Sequence, residues 1–215
     1  ALTMTDGLGP RRIWRAVDAS GSAERVVGLP LTALEGLKLP AAAAQSIVSG
    51  HSRAAAEKEW KNVQENGGRL ITPVDEAYPE RLREIFDPPT VLWIRGDAAL
   101  LSQPGIAVVG TRHPTPYGTG MAEMLSRDLA AHGLVILSGM ARGVDTAAHR
   151  GAIEARCNEA PGRTVAVWGT GIDVIYPKEN KKLAERILEC GGRSSASIQW
   201  VHSRHRRTFP SVTGF

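Results

Sequence analysis

Gly133-Leu134-Val135-Ile136-Leu137-Ser138-Gly139-Met140-Ala141-Arg142-Gly143-Val144-Asp145 reads as a buried strand turning into a helix. Its first part is short, apolar and opened by glycine, as a strand covered on both faces of a parallel sheet must be. Asp145 to Ala155 is rich in helix formers, and Asp145 is placed to cap that helix. Between them lie two glycines, a serine and an arginine. Such a turn lets backbone approach a phosphate and offers it N–H groups, a hydroxyl and a guanidinium.

The same alternation surrounds this stretch. Ile106 to Val109, Leu134 to Leu137 and Thr164 to Trp168 read as strands; Pro116 to His132, Asp145 to Ala155 and Glu179 to Cys190 read as helices. Three strand–helix units in succession predict an α/β fold with a doubly wound parallel sheet. Upstream, Arg69 to Thr72 and Thr90 to Ile94 are β-like. Residues 1–68 read as small helices: Arg11 to Val17, Thr32 to Leu37, Ala41 to Ile47 and Ser52 to Glu65. They predict a small helical domain of the SAM or helix-hairpin-helix kind, followed by the sheet domain over 69–192. Residues 193–215 form a tail without clear periodicity.

Ligands of such sheets bind beyond the carboxyl ends of the strands. Three strand-to-helix loops are therefore the candidate site: Gly110-Thr111-Arg112, then Ser138, Gly139, Arg142 and Gly143, then Gly169-Thr170-Gly171. Side by side at a switch point, they would build an anion site from N–H groups, hydroxyls and two guanidinium groups. His149, four residues after Asp145 and without a second ligand pair, is expected to be a helix-surface or packing residue. Asp145 could also orient Arg142.

Other chemistries lack their motifs. No G-x-G-x-x-G opens the first helix, and there is no Walker phosphate loop and no G-x-S-x-G elbow. No cofactor, metal ligand set or catalytic residue is indicated. The two cysteines, Cys157 and Cys190, make no disulfide framework and no metal knuckle. No segment approaches the roughly 20 apolar residues of a membrane span, and no export signal opens the chain. The cytoplasm is the expected compartment. The net charge is +4, but the tail holds Arg193, Arg204, Arg206 and Arg207 and no acid. Without it, basic and acidic residues balance. Only a local basic patch can argue for nucleic acid.

GTRHPTPYG (110–118), SGMARGVDTAAHRGA (138–152) and TVAVWGTGIDVIYPKEN (164–180) resemble the DprA/Smf DNA-processing family, in the right order. The likeness runs from Tyr78-Pro79-Glu80-Arg81-Leu82 to Gly192, and more weakly covers the helical start around Leu8-Gly9-Pro10. It implies an extended Rossmann fold that binds single-stranded DNA without catalysis. It also implies protection of incoming strands during natural transformation, loading of a RecA-type recombinase, and homodimers. By resemblance Gly110, Thr111, Arg112, Ser138, Gly139, Arg142 and Gly143 line the DNA pocket. The chemistry agrees, because arginine forks and backbone N–H groups bind strand phosphates without reading bases.

After Gly192 the family's strand and Phe-Pro-x-Arg-Asn-Arg motif give way to RSSASIQWVHSRHRRTFPSVTGF. A shifted codon frame can encode the family segment over the same stretch, so a frameshift near Gly192 is the expectation. Such a chain would lack at least one strand and the Arg-Asn-Arg side of the pocket. It would expose apolar surface and a sheet edge, and its specific function would be weak. Two other readings stay open. One is a nucleotide-hydrolysing enzyme similar to the lysine-decarboxylase-like phosphoribohydrolases. That chemistry needs a glutamate paired with an arginine, and none is close to Gly169-Thr170-Gly171 in sequence. The other is an interaction scaffold, which no motif supports.

Overall fold

The computed structural model describes residues 1–157, 160–190 and 196–199, with backbone alone for Trp168, Cys190 and 196–199. It divides into two compact units. One holds Ala1–Trp60 with Asp87–Thr90, the other Lys61–Phe86 and the described residues from Val91 to Gln199.

The first unit is a cluster of short helices. They are α1 (Pro10–Ser20), α2 (Ala23–Gly28), α3 (Leu31–Gly36), α4 (Ala41–Val48) and most of α5 (His51–Glu65). Pro10 opens α1 with its missing N–H where none is needed, and Gly21 closes it in the left-handed conformation at φ 82°. Ser22 caps α2, accepting the Arg25 N–H at 3.1 Å. The serine cap is the signal for α2, a helix the sequence reading passes over. Leu8, Ile13, Val26, Leu34, Ala44 and Ile47 meet in one core. The Trp14 indole N–H holds Asp87–Thr90 to this unit through the Pro88 carbonyl, at 2.9 Å.

The second unit is the sheet domain. Its elements are β1 (Gly68–Ile71), α6 (Glu80–Arg83), β2 (Leu92–Gly96), β3 (Gly105–Ala107), α7 (Pro116–Ala131), β4 (Val135–Ser138) and α8 (Val144–Glu154). Then come β5 (Arg156–Cys157), β6 (Ala160–Pro161), β7 (Thr164–Trp168), α9 (Lys181–Cys190) and β8 (Ala196–Gln199). The sheet order is β1-β2-β8-β7-β4-β3, and β5 pairs with β6 in a separate small ribbon. β3, β4, β7 and β8 are parallel, while β1 and β2 add antiparallel strands beside β8.

The α/β architecture is the expected one, and β7 coincides with its predicted span. Within the described residues the strand order does not reverse. Each strand–helix–strand step leads to the next neighbour in the same direction, so the three loops sit in a row. The predicted strand over Ile106 to Val109 stops at Ala107. Val108 still donates its N–H to the Leu137 carbonyl at 2.9 Å, but the chain then leaves the sheet edge, and Val109 is exposed. Among the described residues β3 is an edge strand, with Ile106 exposed.

The expectation of a missing strand after Gly192 is corrected by β8. It pairs with β7 on one side and β2 on the other. A slot flanked by backbone partners on both sides makes a strand of a segment whose sequence has no clear period. The tail arginines lie outside the described residues.

Alternation along β4 divides the core. Ile136 faces Ala148 and Ala152 of α8 and Ala130 of α7. Val135, with Leu137 partly buried beside it, joins Ile71, Leu92, Ile94, Leu100 and Val165. A third cluster packs Met140, Ile153 and Ala166 against Leu183, Ala184 and Ile187 of α9. No helix among the described residues is long and apolar enough to cross a membrane.

α8 presses closely on α7. A Cβ on Gly151 would collide with the Glu123 carbonyl group, whereas Gly120 of α7 faces open space. Gly151→Ala is therefore expected to lower the unfolding free energy by about 2 kcal/mol through overpacking. Gly120→Ala should raise it by about 0.5 to 1 kcal/mol through helix propensity. Urea denaturation of both variants checks the pair.

Candidate nucleic-acid interface at three strand ends

The first two loops leave the ends of β3 and β4 and cross. The Val144 N–H donates to the Thr111 carbonyl at 3.2 Å. Gly143 caps α8 at φ 82°, and a Cβ there would run into the Thr111 carbonyl, the Arg112 backbone and Pro114. A Cβ on Gly110 would in turn press on Val144. Both glycines are needed for the crossing itself, whatever ligand approaches. Thr111 also accepts the His113 N–H on its hydroxyl at 3.1 Å. Asp145, expected to cap α8, lies in the first turn beyond the Gly143 cap, and its carboxylate accepts the Ala141 N–H at 3.3 Å.

The carbonyls of the second loop are held one after another. His149 Nε2–H donates to the Gly139 carbonyl at 2.6 Å. Asn180 donates from Nδ2 to the Met140 carbonyl at 2.8 Å. Thr146 donates its hydroxyl to the Ala141 carbonyl at 2.8 Å, and Asn180 Nδ2 also lies 2.9 Å from the Thr146 hydroxyl. His149 and Asn180 are both buried. The surface placement considered for His149 is thus replaced by the packing one. Its ring lies inside the sheet domain because Ala147, Ala148 and Ala152 leave room for one large group. Its Nδ1 lies 2.8 Å from the Thr164 hydroxyl, which also lies 2.8 Å from the Ile136 carbonyl. One hydroxyl proton thus serves two acceptors when the ring is neutral.

Burial pushes the His149 ring down to about 4, against the pull of its bond to Gly139. Burial also raises the Asp145 carboxyl, opposed by the Ala141 N–H, the Ser138 hydroxyl and the Arg112 guanidinium. The Ser138 hydroxyl itself donates inward, to the Val108 carbonyl at 2.6 Å. In this arrangement Ser138 ties β4 to β3 and does not face outward.

The two arginines differ. Arg112 is exposed, and among the described residues its guanidinium has no hydrogen-bond or ion-pair partner. Arg142 holds Glu179 at 2.6 Å, with the two side chains 56% and 61% exposed. A pair so open to water adds little stability, so a phosphate can replace the carboxylate. The Glu179 carboxyl is held below its ordinary range by its own backbone N–H first, then by Arg142.

The third loop closes on itself. Thr170 donates its hydroxyl to the Val174 carbonyl at 2.6 Å, and the Val174 N–H returns to the Gly171 carbonyl at 2.9 Å. Gly169 is exposed. Among the described residues no hydrogen bond joins Gly169–Gly171 to the other two loops. The third loop meets the second farther along, through Glu179 and Asn180 in the 3-10 turn Lys178–Asn180. The sequence reading singles out neither residue. Their only signal is the segment Tyr176 to Asn180 at the end of the third motif.

Comparison with known proteins shows what the chain is similar to. The model of the DNA recombination-mediator protein A family matches residues 69–211, past Gly192, where the resemblance was expected to stop. Protein Smf of Synechocystis is 40% identical over 132 residues, 60% of this chain and 32% of that protein. The DNA processing protein DprA of Bacillus subtilis is 40% identical over 127 residues, 59% of this chain and 41% of that protein. The X-ray structure of DNA processing protein A from Streptococcus pneumoniae superposes with a TM-score of 0.73 at 31% identity. It covers 92% of this chain and 64% of that one. The matched stretch thus spans about a third to two fifths of the curated relatives' length.

The buried imidazole makes stability depend on pH. In the unfolded chain the ring takes a proton below its ordinary 6.5, and in the folded chain only near 4. Stability is therefore lost as the pH falls from 6.5 towards 4, by about 2 kcal/mol at pH 5. Asp145, raised by burial, acts with the opposite sign, so the comparison must isolate His149. Urea unfolding at about pH 7.5 and 5 should show a smaller pH-dependent loss in His149→Gln than in the parent.

Proposed function

The chain belongs to the DNA recombination-mediator protein A family, and from that premise we propose that it binds single-stranded DNA by its phosphates. Arg112, Arg142 and the loop backbone at Gly110–Arg112 and Gly139–Gly143 form the binding surface. The observation that carries this is the crossed pair of loops at the ends of β3 and β4, with an unpaired guanidinium on one and a replaceable ion pair on the other. Guanidinium groups and backbone N–H groups hold phosphates without reading bases, as suits a protein that accepts any strand. Gly169, Thr170 and Gly171 border this surface in our proposal, with the Thr170 hydroxyl spent on its own turn.

The family's name speaks of mediating recombination. We extend the proposal to protection of incoming strands in the cytoplasm during natural transformation, delivery of the coated strand to a RecA-type recombinase, and a homodimeric working form. No catalytic residue is required. Glu179 does supply, in space, the glutamate–arginine pair that a nucleotide hydrolase would need. Its carboxyl is largely open to water and held below its ordinary range, which unfits it to carry a proton at neutral pH.

Fluorescence anisotropy with a labelled oligothymidine tests the proposal, with duplex as competitor and salt varied from about 50 to 200 mM. The chain should prefer the single strand. Arg112→Ala and Arg142→Ala should each weaken binding several-fold and lower the salt slope by about one. Absence of binding at the lowest salt would overturn it. Turnover of a nucleoside monophosphate abolished by Arg112→Ala would put the hydrolase in its place.

A further inference from the structure

We propose that Asn180 and His149 are positioning residues that set the direction in which the second loop presents its N–H groups to an anion. The inference deepens the DNA-binding proposal and rests on it for the identity of the anion.

A loop of Ser, Gly, Met, Ala, Arg and Gly has little intrinsic preference for one orientation of its peptides. A peptide turned the wrong way would aim a carbonyl oxygen at a phosphate and repel it. Each trans peptide is planar and carries C=O and N–H on opposite sides. Fixing the carbonyls of Gly139, Met140 and Ala141 thus fixes the N–H groups of Met140, Ala141 and Arg142 on the other side.

The three carbonyls are taken by two donors from α8 and one from the Lys178–Asn180 turn. His149 of α8 holds Gly139 at 2.6 Å, Asn180 holds Met140 at 2.8 Å, and Thr146 holds Ala141 at 2.8 Å. Asn180 lies 3.4 Å from the Ala141 carbonyl as well. The Ala141 N–H is spent on the Asp145 carboxyl at 3.3 Å, which leaves the N–H groups of Met140 and Arg142 as the ones the loop can offer to an outside anion.

Asn180 itself is anchored. Its N–H donates to the Pro177 carbonyl at 3.1 Å, and the helix that follows buries Leu183, Ala184 and Ile187. Its neighbour Glu179 holds the Arg142 side chain. One short turn of the third loop therefore fixes both the backbone of the second loop and the resting place of its guanidinium.

A merely structural asparagine would cost stability alone. The test combines strand affinity with backbone amide hydrogen exchange on the 215-residue chain. Asn180→Ala should weaken oligothymidine binding about tenfold, the scale of one lost hydrogen bond to a buried carbonyl. It should also speed exchange at residues 140–143. Combined with Arg142→Ala, its loss should not multiply, because both act through one loop. His149→Gln, which keeps a donor for Gly139, should bind more tightly than His149→Leu. Leu100→Ala, in the opposite core cluster, should destabilise the fold and leave exchange at 140–143 and strand affinity unchanged. Parent-like affinity and exchange in folded Asn180→Ala, or losses that multiply with Arg142→Ala, would overturn the inference. If the parent chain binds no strand, the DNA proposal fails, and exchange at 140–143 alone decides whether the loop is held as argued.

Discussion

The close seating of α8 against α7 and the sheet is the constraint on which the rest depends. Where the helix is buried it presents Ala147, Ala148, Gly151 and Ala152, and at Gly151 the Glu123 carbonyl takes the place of a side chain. A helix so near the sheet leaves the loop from β4 little room. The loop must cross the first one at Gly143, with a positive φ that glycine tolerates. Its carbonyls are enclosed against α8 and must find donors. His149 and Thr146 of α8 supply two, and Asn180 of the Lys178–Asn180 turn supplies the third. Packing of small residues thus dictates the polar arrangement at the surface.

Charge is sorted by depth in the same region. The ionisable groups inside are pushed towards their neutral forms: burial lowers His149 and raises Asp145. The charges kept outside are Arg112 and the Arg142–Glu179 pair. Basic and acidic residues balance before the tail, so within residues 1–192 it is a local pattern of this kind, and not net charge, that could attract a polyanion. Exposed guanidinium groups on fixed backbone suit a ligand whose phosphates repeat, because each contact is weak and the strand supplies many.

Most of the sheet domain was legible in the sequence because strands and helices alternate with clear apolar periods. Thr164–Trp168 is matched residue for residue, and α7 and α8 within one residue at either end. Val108 and Val109 look like strand but leave the sheet, since an edge lacks the second partner that would hold them. The two-residue strands β5 and β6 are too short to show a period. Strand β8 depends on neighbours from both halves of the sheet. At the site, the glycines and arginines were visible because they sit next to strand ends. The burial of His149 and the reach of Glu179 and Asn180 were not. His149 meets Gly139 across the interior, and the bonds of Asn180 and Glu179 span 40 and 37 residues. No spacing rule connects such positions.

The measurement that bears most directly on the account is an NMR titration of backbone amides with a short oligothymidine at low salt. Shifts concentrated at residues 110–112 and 139–143, spreading to 169–171 and 178–180, would place the strand on the ends of β3, β4 and β7 as argued. Shifts confined to the helical unit, or none at all, would contradict it.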